Sequence, residues 1–519
     1  MLHLRVEVPA HDGTILRGLR YAPSTEPAPT ILSITPYGAD RYHADGVYFA
    51  SRGFDFVTLD CRGRGDSDGE FVPFVNEAAD GNAVVHRLAE HPWSNGEIVT
   101  YGGSYGGYNQ WALAATHPQP LRAIAPAAAV YPGRDFPAVS GIPLQYAVRW
   151  LTLVNGRRHN NGPFADEAFW RNASRDLIAS GRPYRDLDLH TVGDRLPVFQ
   201  EWLDHPDLDD YWRGLVREPN LAIPALTITG QYDDDQLGAL THLAAADTDT
   251  HDVVIGPWDH AGTRTSALNF GGLSFDTAAA IDLKALHADW YSWVLGRGPR
   301  PEFLANRVTY FHIGENRWRT STSMPVSDNA LHLHPAPGAT LTATTPGVTT
   351  LTVTIDPRKA SARPEQFETE TFVFPLTALT SYPEALVHLT APLTDPVDVT
   401  GCPSAHLTLS SDLPSFDLLV SIYLVRADTA TKLGEHPFRA RHLAAPHQAV
   451  LPDFPFISLR TEPGDRIALV ISPPDLRFAP NYHTGGHTPD ELPGHAVAGT
   501  VRIHQDPAQP SYLRLPLAR

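Results

Sequence analysis

The stretch EIVTYGGSYGGYNQWALAATHP (97–118) decides how the rest of the chain is read. Its first half is a short β-branched run, its middle a glycine-rich corner, and its second half has the composition of a helix. Gly102, Ser104 and Gly106 fit the pattern G-x-S-x-G. Small residues on either side of the serine let the chain turn sharply from strand to helix and present the hydroxyl at the corner. A bare match to five positions arises easily by chance, and a serine in a glycine-rich turn has a plain structural explanation. The strand before it and the helix after it favour a nucleophile.

The same alternation extends on both sides. TILSITPYG (30–38), FDFVTLD (54–60) and LRAIAPAAAV (121–130) are short apolar runs bounded by turn residues, as strands buried on both faces should be. DGVYFASRG, NEAADGNAVVHRLAEHP and YGGYNQWALAATHP read as amphipathic helices between them, which predicts a doubly wound α/β sheet over residues 1–130. From 131 to 220 the strand runs fade. Aromatics and arginines recur at helical spacing in LQYAVRWLTLV and VFQEWLDHPDLDDYWRGLV, so a helical cap insertion is expected there. The α/β pattern resumes over 221–325 with ALTITGQYD (225–233), HDVVIGPWDH (251–260) and a helix near DLKALHADWYSWVLG. Over 326–519 short runs such as SAHLTLSSD, FDLLVSIYLVRA and DRIALVISPPD alternate with Pro, Gly and Asp turns, predicting a β-sandwich or jelly roll.

A serine hydroxyl is a weak nucleophile until a base takes its proton, so Ser104 requires a histidine and an acid to orient it. Asp233 is the first residue past the strand ALTITGQYD, and His260 follows HDVVIGPWDH, giving the chain order Ser, Asp, His of α/β hydrolases. Among 25 histidines, position alone singles out His260. Asp234 and Asp235 adjoin Asp233 and compete with it as ordinary loop acids. The backbone N–H of Tyr105 is the expected first oxyanion donor. The loop after TILSITPYG lacks a run of glycine amides but offers the phenol of Tyr37 as a second.

Composition narrows the alternatives. With 40 basic and 58 acidic residues the net charge is −18, which repels phosphate backbones and anionic lipid, so neither nucleic acid nor a membrane is an expected partner. Cys61 and Cys402 are the only cysteines, too few for a disulfide framework or thiolate cluster. Cys61 reads as a packing residue. The opening MLHLRVEVPAHDG alternates like a strand, and no run approaches the length of a membrane span, so a soluble, cytoplasmic protein is expected. His483 and His487 are four apart, but Gly485 and Gly486 intervene and no HExxH exists, so no metal site is predicted. Asp60, Arg62 and Asp66 in DCRGRGDSDG are expected to shape the loop after a strand.

SITPYG, LDCRGRGDSDGEF, HPWSNGEIVTYGGSYGGYNQWALAATHP, HPDLDDYW, GQYD, GPWDH, APLTDPVDVTG and PGDRIALVIS resemble, in order and over nearly the whole chain, the cocaine esterase and X-prolyl dipeptidyl-peptidase family of α/β hydrolases, which includes α-amino acid ester hydrolases and acylases. The resemblance implies an α/β-hydrolase domain, a helical cap and a C-terminal jelly roll. It places the triad on Ser104, Asp233 and His260 and the tyrosine oxyanion donor on Tyr37. In members that take a free α-amino group, carboxylates near the catalytic acid bind the ammonium, which nominates Asp135, Asp234 and Asp235. Three features depart from the family pattern. Gln231 stands where a tryptophan is common, which affects the expected acyl pocket; Gln236 stands where a further acid would be; and Glu97 stands where a basic residue is frequent.

The expected function is therefore cleavage of an ester or amide in a small acyl or peptidyl substrate, through an acyl-enzyme and without a cofactor. An X-Pro dipeptidyl-peptidase, an α-amino acid ester hydrolase and an acyltransferase are variants of the same chemistry. A binding protein that uses only its β-rich tail is the rival of another class. A homo-oligomer is compatible with the sequence.

Overall fold

The computed structural model describes residues 2–216, 223–246, 250–362, 371–452 and 454–518. The apolar runs of the first 321 residues form one ten-stranded sheet. Its strands are β1 (Leu2–Pro9), β2 (Ile15–Ala22), β3 (Ala28–Thr35), β4 (Asp55–Asp60), β5 (Ser94–Gly103), β6 (Leu121–Ala127), β7 (Ala225–Tyr232), β8 (His251–Asp259), β9 (Val308–His312) and β10 (Arg317–Ser321). They lie side by side in the order β1-β2-β4-β3-β5-β6-β7-β8-β9-β10. From β4 to β9 every neighbour is parallel, and antiparallel strands close both edges.

Parallel strands need helical crossovers, and these cover both faces. Every residue of β4 and of β7 is buried. On one face Phe49 and Phe54 pack with Leu283 and Trp290; on the other Val84, Val85 and Leu88 pack with Trp111 and Leu113. The helix Tyr105–Ala114 differs from the amphipathic reading, since all its residues are buried. The outward side of that helix is covered by the segment between β6 and β7. Tyr105 and Tyr108 join Phe136, Trp150, Trp202 and Trp212 in one aromatic cluster.

That segment is helical, with helices Gln145–Leu153, Glu167–Ala179 and Pro197–Asp204 among its members. The run 198–216 is broken rather than continuous. Its second helix, Asp210–Leu215, starts afresh because the Asp209 carboxylate accepts the N–H groups of Tyr211 and Trp212.

From Ala330 onward the described residues are mostly antiparallel strands. Leu407, Leu409, Val501 and Ile503 come from one group of strands, and Phe416, Leu418, Leu469 and Ile471 from the other. Together they fill a common core. A short helix at Leu376–Thr380 is the exception to the expected loss of helical periodicity. The coarse architecture is an α/β hydrolase sheet followed by a β-rich C-terminal half.

Two buried glutamines join the halves. Gln231 on β7 donates from Nε2 to the Phe311 carbonyl (2.7 Å) and accepts the Ser458 N–H (2.7 Å). Gln236 donates to the carbonyls of Gly230 (2.7 Å) and Phe456 (3.2 Å) and accepts the Phe456 N–H (2.5 Å). The Gln231 amide thus points to the domain junction, where both of its polar ends are occupied. Gln236 is occupied in the same way and leaves no vacant acid position.

Candidate active site

Four parallel strands deliver the expected residues to one rim of the sheet, the C-terminal ends where ligands of open α/β sheets bind. Tyr37 follows β3, Ser104 follows β5, Asp233 follows β7 and His260 follows β8.

Ser104 sits at the corner with φ 61° and ψ −127°, a conformation that L-residues rarely adopt. Its N–H donates to the Ala127 carbonyl (2.9 Å), and its own carbonyl accepts from Gly107 and Tyr108 at the start of the helix. The turn tolerates no extra carbon: a Cβ on Gly107 would lie 2.9 Å from the Ala127 carbonyl oxygen. As the first residue of the helix, Tyr105 has no intrahelical acceptor for its N–H. Its phenol is held from behind, donating to Glu77 Oε1 (2.5 Å) and accepting the Phe74 N–H (2.8 Å). Burial pushes the Glu77 carboxyl up to about 7.

The His260 imidazole Nδ1 lies 3.0 Å from Asp233 Oδ1 and 3.5 Å from Asp235 Oδ2. Asp233 also accepts hydrogen bonds from Thr229 Oγ1 (2.8 Å) and the Asp235 N–H (3.1 Å), which fix the carboxylate in one orientation. Burial, the largest influence on His260, and the Arg264 guanidinium lower its pKa. Asp235 and Asp233 raise it, and the balance lies above the ordinary histidine value.

The Tyr37 hydroxyl lies 3.4 Å from Ser104 Oγ and accepts from the Trp150 indole Nε1 at 3.1 Å. The structure therefore gathers two pairs on one rim, Tyr37 with Ser104 and Asp233 with His260. No hydrogen bond joins Ser104 Oγ to His260 among the described residues.

Asp135 is buried, with Oδ1 accepting the Tyr131 N–H (2.8 Å) and Oδ2 unpaired against Gly238. Burial, with repulsion from Asp233, holds its pKa far above the usual carboxyl range. Asp235 is raised in the same way, and Asp135 adds to that rise. Asp234 is exposed and lies also in the field of Lys432 and Arg477, so it is the acid least drawn into this group.

The remaining sequence candidates have structural explanations. Cys61 is buried, with its thiol pushed up by burial. Asp60 accepts the Ala39 N–H, and Arg62 pairs with Asp12 and Asp80. Glu97 accepts from Arg297. His483 contacts the Val497 carbonyl, and His487 contacts Asp490. Two clusters with ligand-like spacing, His11/Asp12/Asp80 and His312/Glu315/Asp398, are laced by arginines and so form ion-pair networks. No helix among the described residues is long and apolar enough to cross a membrane. Sequence reasoning missed Trp150, Thr229 and Arg264. Their only signals were an aromatic in the helical segment, a threonine four residues before the acid, and an arginine four after the histidine.

Comparison with known proteins finds relatives over nearly the whole chain. Residues 12–262, which hold all four rim residues, match the X-Pro dipeptidyl-peptidase (S15 family) model, and 304–514 match the X-Pro dipeptidyl-peptidase C-terminal non-catalytic domain. Cocaine esterase of Rhodococcus sp. is 27% identical over 99% of this chain and 98% of its own. Among solved structures, an α-amino acid ester hydrolase superposes with a TM-score of 0.85 at 19% identity, covering 100% of this chain and 96% of that one. An aminopeptidase from a marine sediment Thaumarchaeota archaeon gives 0.82 at 20% identity, over 99% and 96%. The chain belongs to the cocaine esterase and X-Pro dipeptidyl-peptidase family of α/β hydrolases and is a serine hydrolase.

Proposed function

We propose that the protein cleaves an ester or amide of a small acyl or peptidyl substrate through a covalent acyl-enzyme. Ser104 Oγ attacks the carbonyl carbon while His260 takes its proton, and Asp233 holds the imidazole so that Nε2 faces the serine. The Tyr37 phenol and the Tyr105 N–H donate to the tetrahedral oxyanion. The protonated His260 then returns its proton to the leaving alcohol or amine. Water, deprotonated by the same imidazole, attacks the acyl carbonyl and regenerates Ser104. The serine–imidazole hydrogen bond tightens when substrate fills the site, a common property of resting hydrolases.

The observation that carries this reading is the 3.4 Å approach of the Tyr37 hydroxyl to Ser104 Oγ, on the rim that also holds the Asp233–His260 pair. The esterase activity named for the Rhodococcus relative supports ester chemistry. Labelling with a fluorophosphonate tests it: Ser104 should carry the adduct, and well-folded protein that stays unlabelled overturns the proposal. Hydrolysis and acyl transfer separate by product analysis with an added amine. In this reading the C-terminal strands wind as a jelly roll, residues 131–220 cap the rim, and the enzyme works in the cytoplasm.

Within this reading we favour acyl groups that carry a free ammonium. Asp135 and Asp235 are two carboxyls that repel each other; Asp235 faces His260 Nδ1 at 3.5 Å, and among the described residues neither is paired with an arginine or lysine. A substrate ammonium would supply the missing charge in a partly dry site. A panel of aminoacyl, X-Pro dipeptidyl, aromatic and short aliphatic p-nitrophenyl esters and p-nitroanilides discriminates, since indifference to the ammonium removes this preference.

A further inference from the structure

The catalytic imidazole is crowded by acid. From the loop after β7 it meets Asp233, Asp235 and, further out, Asp234; Asp135 comes from the loop after β6, and Asp259 precedes it on β8. Tyr37 approaches Ser104 from the loop after β3, while Lys432 and Arg477 of the C-terminal half act on Asp234. Left to these carboxylates, an imidazole would hold its proton too tightly to accept another.

A cation, Arg264, acts on the same imidazole. Arg264 belongs to the short helix Gly262–Thr265 directly after His260. Its side chain lies against Gly103, the residue before the nucleophile: a Cβ there would fall 2.7 Å from Arg264 Cδ and 2.9 Å from Nη1. Nη1 is buried and makes no hydrogen bond, and among the described residues the guanidinium has no carboxylate partner. A buried guanidinium nitrogen without a partner is costly unless the charge serves a purpose.

We propose that Arg264 is the cationic counterweight of the catalytic centre, a positioning residue that acts through His260 and keeps the imidazole competent as a base beside its acidic neighbours. The proposal rests on the triad reading above. The electrostatics around His260 agree with it, because the Arg264 cation opposes Asp235 and Asp233 there. It also gives a reason for glycine at 103, where a side chain would unseat the guanidinium.

The test is the pH dependence of kcat/KM with a neutral p-nitrophenyl ester, using unlabelled full-length protein, a separate aliquot of which has first been shown to label at Ser104 with a fluorophosphonate. Failure of that labelling would count against the triad and not against Arg264. In Arg264→Gln the acid limb should move up by about one pH unit, so that the rate at pH 6 falls more than the rate at pH 9. Arg264→Lys should restore the limb. Should the Gln variant not fold, Gly103→Ala displaces the guanidinium, and its limb should move the same way. A limb that coincides with wild type in the folded variants overturns the proposal, however far the plateau rate falls. So does a defect confined to the KM of carboxylate-bearing substrates, which would make Arg264 a substrate ligand.

Discussion

The indole of Trp150 donates to the hydroxyl of Tyr37 at 3.1 Å, tying the helical segment between β6 and β7 to the residue that approaches Ser104. With the indole on one lone pair, the phenolic proton is free to point at Ser104 or at an oxyanion. Burial raises the Tyr37 pKa, so the phenol stays protonated and remains a donor.

Tyr37→Phe removes that donor. It should lower kcat by about 10²–10³-fold with a smaller change in KM, the size expected for one oxyanion donor. Trp150→Phe should cost less, about tenfold, since it leaves the phenol in place but unaligned. Steady-state kinetics on a p-nitrophenyl ester reads both; an equal loss in the two variants would mean that the tryptophan acts by packing alone.

Asp135→Asn and Asp235→Asn should each raise KM for substrates with a free ammonium by about 10-fold or more. Neutral acyl esters should be affected much less. Matched aminoacyl and N-acetylaminoacyl esters provide the comparison, and parallel losses on both would assign the two acids to the fold.

Glu77 carries a pH prediction for stability. Its folded-state pKa of about 7 exceeds the ordinary 4.5, so folding disfavours the ionised form. Stability from this group is complete below about pH 4.5 and is lost as pH rises through about 7, by roughly 3 kcal/mol at most. Glu77→Gln keeps an acceptor for the Tyr105 hydroxyl and cannot ionise. Urea melts between pH 4.5 and 7.5 should therefore give the variant a flatter stability profile than wild type.

Gln231→Ala should destabilise the protein by about 1–3 kcal/mol, because it strands the buried Ser458 N–H and Phe311 carbonyl. Gln231→Glu keeps the shape but supplies an acceptor where the Phe311 carbonyl needs a donor, so it should be no better tolerated. Denaturant melts measure both.

Much of this was legible in the sequence, for physical reasons that apply residue by residue. A strand buried on both faces must be apolar throughout, so β4 and β7 stood out; a sharp strand-to-helix corner needs small residues, so Ser104 did too. Asp233 and His260 were nominated because each follows a strand, and the structure brings the two into contact. The partners of these residues have no such signature. Trp150, Thr229 and Arg264 reach the site by side-chain direction, which no periodicity encodes. Gln231 looked like a change in the pocket because sequence places it beside the acid, whereas strand alternation points its amide at the neighbouring β-rich half. The helical spacing read over 198–216 did not show where one helix ends at Asp204 and the next begins after the Asp209 cap.

The glutamine splice bears on how this enzyme can be recombined. Gln231 and Gln236 flank Asp233, so the loop that carries Asp233 is fastened to backbone from the far end of the chain. A version trimmed after β10 would strip both glutamines of the partners they have at Phe456 and Ser458 and loosen the loop that carries Asp233. Chimeras made with other members of the family should take both halves from one parent, and the two halves should be inherited as a unit.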